Sequence, residues 1–207
     1  MKDVLQALVD EYENKYPELT SFMQENHQTT RWGMGAMPSY SPAPYICELQ
    51  GCKPGRMLKK ASEPAKHRQC YFLDHDGKII GESVFAKYVA IKKRWIVYRR
   101  FFIHRPDSIA ELAFGSALDG SPDANLDSVS VSTFLDNRAT GHYTLHASGE
   151  YFETLYKYVA DKIASITEKI WRETFTERSY ELSHANGAPT IFEIFPDNGK
   201  LEIFPSN

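Results

Sequence analysis

No familiar catalytic signature is present in this chain. It has no G-x-S-x-G elbow, no P-loop and no G-x-G-x-x-G, so the common nucleophile and nucleotide-cradling motifs are absent. Cysteine is scarce: 3 residues, an odd number, exclude the paired disulfide framework of small secreted domains. Long apolar runs are missing too. The longest charge-free stretch near the N-terminus, Trp32–Cys47, is interrupted by Pro and Gly and cannot span a bilayer. There is no excess of positive charge. Lys and Arg number 24 against 27 Asp and Glu, a net −3, which argues against a dedicated nucleic-acid-binding domain. The opening MKDVLQALVDEYENK has an acid at position 3 and an amphipathic pattern, not the charged-then-apolar order of a signal peptide. The expectation is a soluble, cytoplasmic protein without a membrane partner, a cofactor or a resident metal.

What is there is enough to build a core. With 12 Phe and 12 Tyr in 207 residues, disorder outside the loops is not expected. One domain, 1–207, accommodates the length: a helical segment about 1–27, a loop-rich segment 28–68, and the main body 69–207. Val4, Leu5, Leu8, Val9 and Tyr12 repeat at helical spacing and predict a helix over 2–15. Pro17 can open a second helix, with Leu19, Phe22 and Met23 as its apolar face. Residues 29–44, rich in Gly, Pro and Ser, read as loop, followed by a short strand at Tyr45–Leu49 and a second loop over 51–68. CYFLDHDGKIIGESVF (70–85) is strand, turn, strand, with Gly77 supplying the positive φ of a tight hairpin. Strands follow over 86–91, 94–104, 111–117 and 128–135, with a return through HYTLHA and a loop at 118–127. Phe152, Leu155, Val159, Ile163, Ile166 and Ile170 recur at three- and four-residue steps behind Ser148, predicting a long helix over 149–176. The tail reads as hairpins turning at Asn186–Gly187 and Asp197–Gly199. The expected class is α+β: a mainly antiparallel meander packed by that long helix, with N-terminal helices.

The stretch KKRWIVYRRFFIHR (92–105) holds six Lys or Arg and four aromatics. As a strand it sets Trp95, Val97, Arg99, Phe101 and Ile103 on one face and Ile96, Tyr98, Arg100, Phe102 and His104 on the other. Both faces are largely apolar, which predicts a central strand covered on both sides, its arginines at the margin or paired with acids. A basic surface with interleaved aromatics, suited to single-stranded nucleic acid, is the competing reading. From Lys87 to Arg105 there are seven Lys or Arg and no acid; from Asp107 to Asp136 there are six acids and no Lys or Arg. Neighbouring strands would let the two blocks neutralise each other. The functional alternative is an acidic loop that receives a basic partner.

The candidate contact residues are therefore the loop acids Asp119, Asp123 and Asp127 and an adjoining polar sheet face. Ser128, Ser130 and Ser132 on one strand and His142, Thr144 and His146 on the next share that face. His142 and His146 have the spacing of a helical metal pair. On a strand their rings lie about 13 Å apart at ~3.3 Å per residue, too far to share one ion. Cys47, Cys52, His67 and Cys70 have the residue types of a Cys₃His zinc site, without the spacing of a standard finger. Core or loop thiols are the simpler reading.

A slightly acidic, motif-free chain with DHDGK and DNGK hairpins resembles the immunity proteins of bacterial polymorphic and contact-dependent toxin systems. CYFLDHDGKIIGESVF and SGEYFETLYKYV carry the resemblance. It implies a cytosolic protein, not an enzyme, that binds one cognate toxin domain tightly, 1:1, and blocks it. A basic nuclease toxin would suit an acidic loop. The alternatives are an RNA- or single-strand-binding module using 92–105, or an enzyme of unrecognised class.

Overall fold

The computed structural model describes residues 1–184 and 189–205. Two short helices open the chain, α1 (Lys2–Tyr12) and α2 (Tyr16–Asn26), with Pro17 in the first turn of the second. Strands β1 (Thr29–Met34) and β2 (Arg56–Met57) flank an irregular stretch. Then come β3 (Arg68–Leu73), β4 (Ile79–Val89), β5 (Arg94–His104), β6 (Ser108–Leu118), β7 (Leu126–Leu135) and β8 (Arg138–His146). The series ends with β9 (Tyr151–Val159), β10 (Lys162–Trp171), β11 (Phe175–Ser183), β12 (Thr190–Ile194) and β13 (Lys200–Phe204). All belong to one antiparallel sheet ordered β13-β12-β11-β10-β9-β8-β7-β6-β5-β4-β3-β1-β2. Sequence neighbours pair throughout β3–β13, so local hairpins build the sheet. No helix is long and apolar enough to cross a membrane among the described residues.

The long helix expected over 149–176 does not exist, and with it the α+β class falls. That span is β9, β10 and the start of β11. Its composition favours strands: Tyr151, Phe152, Thr154, Tyr156, Tyr158, Val159, Ile163, Ile166, Thr167, Ile170 and Trp171 are aromatic or β-branched. The three-and-four spacing arises from two interruptions of a period of two. A two-residue turn, Ala160-Asp161, brings Lys162 opposite Val159, and a bulge between Ile163 and Ser165 inserts one residue. Phe152, Ile163, Ile166 and Ile170 thereby reach one face, and Leu155 and Val159 the other. Ser148 caps nothing; its hydroxyl donates to Glu150 in the β8–β9 turn (3.4 Å).

Two smaller expectations also change. Tyr45–Leu49 is not a strand but turns that lead into a 3-10 turn, Glu48–Gln50, and the predicted loop 29–44 begins with β1. The DHDG hairpin forms as expected, with Gly77 at φ 76° and Asp74 Oδ1 accepting from the amides of Asp76 and Lys78. The Asn186–Gly187 turn lies outside the described residues.

The helices lie on one face of the sheet. Leu5, Leu8, Tyr16 and Met23 pack with Phe101, Leu112, Phe114 and Val129 in a buried cluster. Gly81 permits this approach: a Cβ there would stand 2.3 Å from Met23 Sδ. The opposite face is crossed by the irregular segment 35–67. Tyr40 meets the rings of Tyr71 and Phe102, and Tyr156 donates to the Pro44 carbonyl (3.0 Å). Further along, Leu49 joins Tyr156, Ile166, Tyr180 and Ile191 in a second cluster. This strap of chain runs from β3 across to the last strands.

Candidate partner-binding edge

Strand β5 answers the question raised by KKRWIVYRRFFIHR. Arg99, Phe101 and Phe102 are buried, and the two arginines point to opposite faces, each bound by acids. Arg99 Nη2 lies 2.7 Å from Asp119 Oδ1 in the β6–β7 loop. Arg100 Nη1 meets Glu111 Oε1 at 2.9 Å, and its Nε donates to Glu82 Oε2. Glu82 is fully buried at 0% exposure, next to Tyr71, which is equally buried. Burial raises the Glu82 carboxyl above the usual carboxylate range, and Arg100 opposes that shift. Two arginines of the basic block thus pair with two acids of the acidic block, Asp119 and Glu111, and with Glu82, which lies outside both. An acid inside the apolar run IIGESVF was the available signal for it.

The predicted contact set splits in two. The polar row does lie on one face of adjacent strands, in the register Ser128 opposite His146, Ser130 opposite Thr144, Ser132 opposite His142. It is not a fully open platform, however: the strap passes over the same face, meeting Phe102 through Tyr40 and Tyr156 through Pro44, and Ser128, His142, Thr144 and His146 are half-buried. Ser130 and Ser132 are buried. Ser130 Oγ and Thr144 Oγ1 share a hydrogen bond of 2.8 Å, and Ser132 Oγ and His142 Nδ1 one of 2.9 Å. His142 Nε2 also lies 3.2 Å from Thr144 Oγ1. Burial holds the His142 pKa below the ordinary histidine value, which disfavours the charged ring. His146 packs edge-on against Phe152. These residues hold the covered face together.

The acids take the other route. Asp123 and Asp127 are exposed at the end of the sheet, whereas Asp119 is tied to Arg99. Asp127 and Ser128 line an open groove of about 290 Å³ together with Glu13, Asn14 and Asn125, over a floor that includes Val9 and Leu145. Glu13 is the residue that sequence reasoning missed. It stands at the C-terminal cap of α1, where the helix has no basic residue in its last turn. Helix carbonyls and carboxylates of like sign meet there, and the cation just past the helix, Lys15, lies over the Tyr12 ring (5.2 Å). Neither Glu13, Asp123 nor Asp127 makes an ion pair among the described residues.

Cys47, Cys52, His67 and Cys70 do not gather into a metal site. Among the described residues, the groups close enough to share one ion are Asp74, His75 and Asp76 of the exposed hairpin turn. Cys70 packs against Phe85 and Val97, and Cys47 is buried in the strap. In comparisons with known proteins, no family model matches the chain, and neither a curated protein nor a solved structure matches it.

Proposed function

We propose that the protein is a binding protein that neutralises a cognate toxin domain by tight 1:1 docking, with the acidic edge receiving a basic surface. The observation that carries this reading is the surplus charge. Glu13, Asp123 and Asp127 are exposed and have no ion pair among the described residues, and two of them, Glu13 and Asp127, line one groove at the carbonyl end of α1. Evenly solvated surface acids do not need to converge on a helix's negative end. A Lys or Arg inserted between Glu13 and Asp127 would meet two carboxylates and the helix carbonyls at once, over an apolar floor that fits the stem of the side chain. Complementary charge of this kind speeds encounter and selects the partner.

The nucleic-acid alternative loses most of its surface. Arg99, Arg100, Phe101 and Phe102 are engaged inside the sheet, which leaves Lys92, Lys93 and Arg94 at the β4–β5 tip, beside an Ile91 that is 93% exposed. The test is capture from a lysate of the source organism, with and without nuclease, using the parent protein and the variant Glu13→Lys/Asp123→Lys/Asp127→Lys. The reading expects one stoichiometric, nuclease-resistant protein that the variant releases. Recovery of nucleic acid alone would move the function to the basic tip.

A further inference from the structure

Of the four residues with zinc-ligand chemistry, two come together in a different way. Cys47 and Cys52 bracket the 3-10 turn of the strap. The Cys52 N–H donates to the Cys47 carbonyl (3.0 Å), and the Gly51 N–H to the Glu48 carbonyl (2.9 Å). Gly51 is left-handed, at φ 69° and ψ 13°. Nested six-to-one and five-to-two hydrogen bonds around a left-handed residue define a Schellman ending. That ending frequently brings the side chains of the first and sixth residues together. Here both are cysteines, and both are free thiols. Burial is the main reason the Cys47 thiol is pushed up to about 11, and the neighbouring charges of Glu48 and Cys52 add to it. Cys70 is remote from this turn, against Phe85 and Val97.

We propose that Cys47 and Cys52 form a dithiol modification site, closed to an internal disulfide by a low-molecular-weight disulfide such as glutathione disulfide. Cys52 is half-buried and Cys47 buried, so Cys52 reacts first. Its thiolate attacks one sulfur of the oxidant; the oxidant's S–S bond breaks and one small thiolate leaves. Cys47 then gives its proton to water and attacks Cys52 Sγ, which expels the second small thiolate. Both small thiolates take up protons. Two protein thiols are oxidised to one disulfide, and one small disulfide is reduced to two thiols. The ring closes where the strap meets the second core cluster, next to Leu49, and where a Cβ on Gly51 would stand 3.4 Å from the Ile203 carbonyl. The bond would therefore fix the strap's turn beside the last strand.

The test is to treat the folded protein with glutathione disulfide and follow intact mass and the peptide map. The expected product has lost two hydrogens, with Cys47 joined to Cys52, and Cys70→Ser gives the same product. Cys47→Ser should stop at a stable glutathione adduct on Cys52. A bond that includes Cys70, closure seen in denatured but not in folded protein, or an adduct on Cys52 that Cys47 never displaces would overturn the proposal. The map of the unsubstituted protein decides the matter by itself if a variant fails to fold.

Discussion

The two halves of the sheet are built on different terms. From β3 to β8 both faces are covered, one by the helices and the other by the strap. Strand β5 accordingly buries residues of both faces, Phe101 on one and Phe102 on the other. From β9 to β13 the strap side still packs, through Tyr156, Ile166, Tyr180 and Ile191. The helix side past β9 has no helix, and there β9–β11 carry Lys157, Thr167, Lys169, Glu177, Ser179 and Glu181. Strand β11 buries only Tyr180. A strand covered on both faces reads as near-continuous apolar sequence, and one covered on a single face alternates. The comparison shows that the same meander changes its residue pattern where its cover stops.

Substitutions in the doubly covered half should have the largest effects. Arg100→Met leaves the buried Glu82 and the half-buried Glu111 without their cation, and should lower the unfolding free energy by about 3–5 kcal/mol in urea titration. Leu5→Ala, at a fully buried helix position, should cost about 2–5 kcal/mol by the same measurement. Ser132→Ala leaves His142 Nδ1 without its hydroxyl partner and should cost about 1–3 kcal/mol. Glu177→Gln, on the open face of β11, should change stability by less than about 0.5 kcal/mol. Equal effects at Leu5 and Glu177 would remove the distinction between the halves.

A pH series sharpens the same comparison. Glu168 belongs to the singly covered half but faces the strap side, where burial raises its carboxyl above the usual value and Tyr180 donates to it at 2.5 Å. With the folded value above the unfolded one, the native state holds more protons. Its contribution to stability is present at low pH and is lost as pH rises from the ordinary glutamate range through the raised value. Between about pH 4 and 7, Glu168→Gln should therefore show a less negative slope of unfolding free energy than the parent. An unchanged slope would mean that the carboxyl is solvated and the strap side is open there.

How much of this was legible in the sequence depends on whether the signal was local. The DHDGK turn, the two N-terminal helices and the double-faced β5 were readable because turn chemistry and periodicity act within a few residues. The arginine–acid pairing was readable from opposite charge blocks separated by one turn. The 149–176 helix was misread because a two-residue turn and a bulge can imitate a 3.6 period, and only pairing with β8 and β11 resolves the ambiguity. The cover over Ser130, Ser132 and His142 was not readable at all, since it comes from a loop about 100 residues earlier in the chain. Glu13 was missed for the same reason: its neighbour in the groove is Asp127, which no local pattern connects to it.

The most direct measurement is the association rate of the captured protein partner with the parent and with Glu13→Lys/Asp123→Lys/Asp127→Lys, read at low and at raised salt. Docking on the acidic edge predicts a rate at least several-fold slower for the variant at low salt, with the gap narrowing as salt screens it. The same rate for both proteins at low salt would contradict docking at this edge.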